Sequence, residues 1–449
     1  MHCRTITKLI IAAFSMNLWA ADALAYDYHG YLLGGGYIAR EQFTAETAGL
    51  TNNDRAVVSS RLTLDVTKIS SQQYQLFIDI RDQHDFFDKV DAERLELRGR
   101  NSLRLRQLNL SDPGHSHKYF WTIGRFLPGA NNVVFNDGIE SGLRLNPNHR
   151  VGVFAGYKPR ITDEPVADIG SDLYQIGGYH IYELEGESWD EGKYIANFLI
   201  SGPEFANDQG TVTNTWINQS LLHFGPRHRA GSYLNVSGQD SPQLEEGRLE
   251  WDERFNTKLS ARISASHLDL RAYRHQRDIL EPLPASPYSQ AKGLIQYRMN
   301  DQARLEGTLI LGRRTIDYLD KQELTLGGTL TRFATEHAQI SGYIGTRRGF
   351  ISRDLFMNSV FNYFATRWMS DVSLRLTRQN RYNGIVLNQL IISSNLGFYL
   401  SKRILVSAGG ELAADENNRI ASGLLTIGYR FGTREFTPLR DVAPPNARY

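Results

Sequence analysis

Strict two-residue alternation recurs along this chain from Tyr26 to Phe431, and that pattern limits what it can become. Arg61-Leu62-Thr63-Leu64-Asp65-Val66-Thr67 sets Leu62, Leu64 and Val66 against charged or hydroxyl neighbours. Lys258 to Ala265 and Asp371 to Thr377 repeat it. Successive strand side chains point to opposite faces, so each segment reads as a two-faced strand, with arginine and aspartate on the polar face. No convincing helical period follows Tyr26. The predicted strands are 26–40, 55–68, 73–83, 101–111, 118–126, 137–146, 149–158, 171–184, 192–202, 212–224 and 228–238. They continue as 244–254, 257–271, 287–299, 302–313, 320–332, 337–347, 353–366, 368–379, 384–399, 402–413 and 417–431, making 22 with a lower bound of 18. Most run ten to fifteen residues. Ordinary strands average about 5–6 residues, whereas strands that cross a membrane need about 9–11.

Composition agrees with that reading and removes others. A mean hydropathy of −0.39 excludes a bundle of membrane helices, and 11% aromatic content excludes disorder. Lysine plus arginine number 50 against 49 acidic residues, so no bulk charge points to nucleic acid. The basic residues divide unevenly, 40 arginines to 10 lysines. Residues 1–25 carry a basic start (Arg4, Lys8), an apolar stretch from Leu9 to Trp19 and a small-residue Ala23-Leu24-Ala25 site. They read as a secretory signal peptide. The lone cysteine, Cys3, lies inside it, so the mature chain has no disulfide and no thiol chemistry.

The connections alternate too. Turns near Ser70, Pro147, Pro226, Asn256, Asp301, Thr335, Arg367 and Ser401 are short. Segments 41–54, 84–100, 127–136, 159–170, 203–211, 272–286 and 314–319 are mostly longer and more polar. Phe224, Phe255, Tyr297, Phe333, Phe364, Trp368, Phe398, Tyr399, Tyr429 and Phe431 lie beside short turns. Tyr157, Tyr273, Tyr318, Phe350 and Tyr382 lie near the long-loop ends. Two aromatic belts at strand ends mark a membrane slab.

The segment Ala421-Ser422-Gly423-Leu424-Leu425-Thr426-Ile427-Gly428-Tyr429-Arg430-Phe431 resembles the closing strand of bacterial outer-membrane β-barrels. In that family the last strand alternates apolar residues and ends in an aromatic read by the barrel-assembly machinery; Tyr429 and Phe431 match. The resemblance implies an all-β fold: a closed antiparallel transmembrane barrel over 26–431 in the bacterial outer membrane, with short periplasmic turns and longer extracellular loops. It implies outer-membrane lipids and lipopolysaccharide as surroundings. The 18 residues past Phe431 depart from the pattern. With Pro438, Pro444 and Pro445 they cannot extend a sheet, so 432–449 is expected to be a periplasmic tail and the candidate docking segment for a periplasmic partner. Outer-membrane receptors of about 22 strands carry a plug domain ahead of the barrel, and none is expected here.

Parity assigns the lumen. Arg61, Arg81, Arg104, Arg106, Arg144, Arg248, Arg262, Arg298, Arg304, Arg375 and Arg430 fall opposite the apolar set, with Asp65, Asp79, Glu140, Glu250, Asp252 and Glu306. Arginine on the lipid face at the midplane would cost about 2–4 kcal/mol, so the water side is favoured. The cation excess suggests preference for anionic solutes, while cross-strand pairing as a structural ladder is the alternative. Loop 127–136, like 84–100, is a candidate to fold inward and narrow the hole; 127–136 loosely resembles the constriction loop of porins, against a plain surface loop. Parity switches at Leu105–Leu108 and Ile263–Leu268 suggest bulges. No catalytic motif appears, no cofactor is implied, and His115 with His117, or His223 with His228, lack the partners a metal site needs. The leading function is an outer-membrane channel for solutes or a polymer. The alternative is a scaffold barrel around a partner for polysaccharide export or electron transfer, and a hydrolase ranks last.

Overall fold

The computed structural model describes residues 27–43, 53–69, 74–87, 101–114, 118–130, 135–157, 159, 173–184, 195–206, 212–223, 227–238, 243–269, 287–315, 317–416 and 418–433. The expected signal peptide, loop 88–100, His115–His117, Tyr273 and the tail from 434 lie outside these.

Twenty-two strands form one sheet. They are β1 (Asp27–Phe43), β2 (Asn53–Ile69), β3 (Tyr74–Phe87), β4 (Asn101–Asp112), β5 (Tyr119–Phe126), β6 (Asn136–Asn146) and β7 (His149–Tyr157). Next come β8 (Leu173–Leu184), β9 (Ile195–Ala206), β10 (Val212–His223), β11 (His228–Gly238), β12 (Gln243–Arg254), β13 (Leu259–Leu268), β14 (Tyr288–Arg298) and β15 (Ala303–Arg314). The last are β16 (Asp320–Thr331), β17 (Ala338–Arg348), β18 (Ser352–Phe364), β19 (Trp368–Arg381), β20 (Val386–Tyr399), β21 (Ile404–Ala414) and β22 (Asn418–Gly432).

Each strand pairs antiparallel with its chain neighbours. β1 also pairs with β22, from His29↔Gly432 to Phe43↔Asn418, which closes the cylinder. The Thr433 amide donates to the Tyr28 carbonyl at 2.9 Å and extends the seam by one residue. Closure joins the first strand to the last, the condition for crossing a bilayer with strands, although β4 and β5 pair only from Leu108↔Arg125 to Asp112↔Trp121. In the closing strand, Phe431 pairs with Gly30, and its ring occupies the space a Cβ at Gly30 would need.

The wall is inside-out relative to a water-soluble protein. Exposed large residues include Ile123, Ile139, Val153, Ile263, Ile344 and Leu355, while Asp79, Asn136, Glu140, Gln175, Asn235 and Asp354 are buried. Such a distribution is stable only where the outside is hydrocarbon, which places the barrel in the outer membrane. Phe255, Tyr297, Phe333, Phe364 and Trp368 are exposed at the short-turn end, and Tyr318 and Tyr382 at the other.

Two sequence expectations need correction. Loop length follows parity for most of the connections before β15 but not for all of them. Connections 349–351, 382–385 and 415–417 are short although they lie at the long-loop end, and 185–194 is long at the other. The second concerns bulges. Between β3 and β4 the register steps over Arg106, where alternation had switched. β13 keeps unbroken register with both neighbours, and the irregularity lies between β11 and β12, which steps over Glu245. Leu268 is simply an inward residue at the strand end, pairing with Glu246.

Candidate functional site

The lumen face of β2, β3 and β4 carries an arginine ladder. Arg61 is the register partner of Arg81, and Arg81 of Arg104. The β4 bulge adds Arg106 to the same patch. Within the group, Asp79, 4% exposed, accepts from Arg61 Nε at 2.8 Å and Nη2 at 2.7 Å, with Arg106 Nε at 3.8 Å. The Arg61 guanidinium also lies over the Tyr31 ring, 5.5 Å from its centroid. Arg81 is exposed to the lumen and has no acidic partner among the described residues. Like charges directly opposite destabilise a sheet. A run of three in register therefore opposes folding and faces water for another reason. Asp65 is occupied elsewhere, accepting from Gln75 Nε2 at 2.8 Å and lying 3.5 Å from His29 Nε2.

The other parity-assigned charges behave differently. On β11–β13, Arg229, Asp252 and Arg262 are successive register partners. Asp252 bridges both arginines, and Glu250 lies 2.6 Å from Arg248 Nη2, 3.6 Å from Arg229 and 3.5 Å from Arg262. Here the ladder alternative holds: opposite charges staple neighbouring strands. Arg304 lies 3.9 Å from Glu306, which also accepts from Gln296 at 3.3 Å. Arg144 sits at the short-turn end of β6 and donates to the Pro113 carbonyl at 2.8 Å, closing that end of the wall. Arg375 is exposed on the inward parity of β19, opposite Asn358 and Ile391, and has no acidic partner among the described residues.

Beside the arginine ladder the wall is thickened from within. Phe120, Phe154, Tyr179 and Ile181, all inward on β5, β7 and β8, form a buried apolar cluster. Inward glycines make room for it: a Cβ at Gly142 would lie 2.2 Å from the Phe120 ring, and one at Gly152 2.4 Å from Tyr179. The segment after β5 folds onto this patch. Pro128 is fully buried, Gly129 takes a left-handed φ of 60°, and its amide donates to Glu140 Oε1 at 2.9 Å. The Tyr179 hydroxyl donates to the same oxygen. Glu140 lies mid-strand, four residues below the rim at Asn136, so this segment turns into the lumen. Its far foot is held by Gln175 Nε2, which donates to the Phe135 carbonyl at 2.6 Å and to Asn136 Oδ1 at 3.0 Å. Sequence reading placed Glu140 in the lumen but missed Tyr179, Gln175 and Asn136. The signal available was glycine on the inward parity of β6 and β7, which leaves space only a large ring from a neighbouring strand can fill.

No group of three metal-ligating side chains occurs among the described residues. His228 instead lies 2.7 Å from Glu253.

No protein-family model matches the chain, and no curated protein matches it in sequence. Solved structures similar to it include Pseudomonas aeruginosa OccK5 (OpdH), at 7% identity and a TM-score of 0.46, covering 91% of this chain and 99% of that one. Pseudomonas aeruginosa OpdK with vanillate is similar at 8% identity and 0.45, covering 90% and 99%. Acinetobacter baumannii OccAB4 is similar at 9% and 0.43, covering 91% and 98%. With these TM-scores below 0.5, the barrel assignment rests on the strand pairing described above.

Proposed function

We propose that the protein is a passive outer-membrane channel that favours small anionic solutes bearing carboxylate or phosphate groups. The observation that carries this reading is the in-register ladder of Arg61, Arg81 and Arg104, joined by Arg106, in which the exposed Arg81 has no acidic partner among the described residues. Guanidinium forks bind carboxylates and phosphates in two-point fashion, and a row of them offers a migrating anion successive sites. The inward segment at Pro128–Ala130 lies on the adjoining wall, so a solute passing it is pressed toward the arginines. Planar-bilayer recording of the purified protein tests the reading. Steady conductance with anion preference is expected; silence at every voltage and salt concentration, or a preference for cations, would refute it.

A further inference from the structure

On the lipid-facing side of β17–β19, at the extracellular end, three arginines stand together. Arg348 and Arg353 are direct register partners, and Arg378 pairs with Leu355, one diagonal step from Arg353. Their parity is that of Ile344, Leu355 and Leu376, which face outward. All three arginines are exposed, and none has a hydrogen-bond or ion-pair partner among the described residues. The contrast is with Arg347, one residue away and inward, which holds Asp354 at 2.5 Å.

Below the three arginines the outer wall forms an open groove of ≈ 520 Å³, lined by Ile344, Leu355, Met357, Leu376 and Leu390, with Arg378 at its mouth. The turns above this arc, 349–351, 382–385 and 415–417, are short.

We infer that this surface is a binding site for a bisphosphorylated acyl glycolipid of the outer leaflet. Its phosphates would lie among Arg348, Arg353 and Arg378 and one acyl chain in the groove. Arginine near the membrane interface is tolerated, but two opposite each other repel unless an anion lies between them. The groove supplies the apolar half of the ligand's chemistry. Neighbouring strands lie about 4.8 Å apart, so three positive charges over β17–β19 span roughly 10 Å, wider than a single phosphate and suited to two. The inference rests on the barrel being seated in a membrane but not on what crosses the lumen.

The test is native mass spectrometry of the delipidated full-length barrel in detergent, titrated separately with bisphosphorylated lipid A, monophosphorylated lipid A and phosphatidylglycerol. The wild type is expected to retain bisphosphorylated lipid A at one per barrel, at least tenfold more tightly than either comparison lipid. Combined Arg348→Gln, Arg353→Gln and Arg378→Gln should lose at least tenfold of that retention, and the three lysine replacements should keep part of it. A control pair, Arg313→Gln with Arg419→Gln, should leave it unchanged. Undiminished retention in the glutamine triple, or equal binding of phosphatidylglycerol, would overturn the site. Bilayer recordings on the same triple should keep wild-type ion selectivity, so failure here is separable from failure of the channel reading.

Discussion

Replacing Arg81 with glutamate addresses the lumen directly, because Arg81 is exposed, central in the ladder and unpaired by acid among the described residues. With the carboxylate of Asp79 beside them, the four guanidiniums carry at most three net positive charges on this patch. For an ion about 7 Å away in a water-filled lumen, each charge is worth about 0.6 kcal/mol, and screening at 0.1 M salt roughly halves that. Three charges then give about 0.9 kcal/mol, enriching anions and depleting cations each nearly fivefold, a permeability ratio near 20. Arg81→Glu cuts the net charge to one and the ratio to roughly 3. Reversal potentials under a salt gradient read this ratio. The same measurement near 1 M salt should show the wild type almost unselective, since the Debye length falls to about 3 Å. A folded Arg81→Glu channel that keeps the wild-type ratio at low salt would show that ions do not pass this wall, and the ladder would lose its functional meaning.

Five further outcomes follow from the geometry. Replacing both Arg104 and Arg106 with glutamate should shift selectivity toward cations, and unchanged reversal potentials would show that they do not line the path. Asp79→Asn should raise anion preference while costing about 1–3 kcal/mol in urea unfolding, less than a fully buried pair because Arg61 is partly exposed. Glu140→Ala removes the acceptor shared by Gly129 and Tyr179, hydrogen bonds worth about 1.5–3 kcal/mol each if the acceptor is charged, and should raise single-channel conductance. Gly152→Ala, which displaces the Tyr179 ring, should reproduce that phenotype; unaltered conductance in both would show that the inward segment does not narrow the pore. At the extracellular rim, Glu416 is held below the usual carboxylate range by hydrogen bonds from its own backbone amide and from that of Asn388. A depressed folded value means this clasp is complete above the ordinary carboxylate range and is lost as pH falls through the folded value. The Asn388 amide should therefore lose hydrogen-exchange protection under acid conditions and keep it at neutral pH.

The alternation in sequence determined the fold class, the strand number and the two faces of nearly every strand. The reason is local: a period of two fixes side-chain direction without knowledge of any partner. Leu62, Leu64 and Val66 against Arg61 and Asp65 could be sorted from seven consecutive residues. Which charges meet was not legible in that way. Arg61, Arg81 and Arg104 are about twenty residues apart along the chain, and their alignment depends on register, which a single bulge at Arg106 resets. Arg262 looked equivalent to Arg81 by parity, yet one has Asp252 opposite and the other has arginines. The inward turn at Gly129 depended on the Glu140 carboxyl of the next strand, β6, and on a tyrosine hydroxyl from β8. The outward Arg348 and Arg353 acquire meaning only as neighbours across a turn, above a groove made by four strands. Direction is written residue by residue, whereas proximity across the sheet is decided when the cylinder closes.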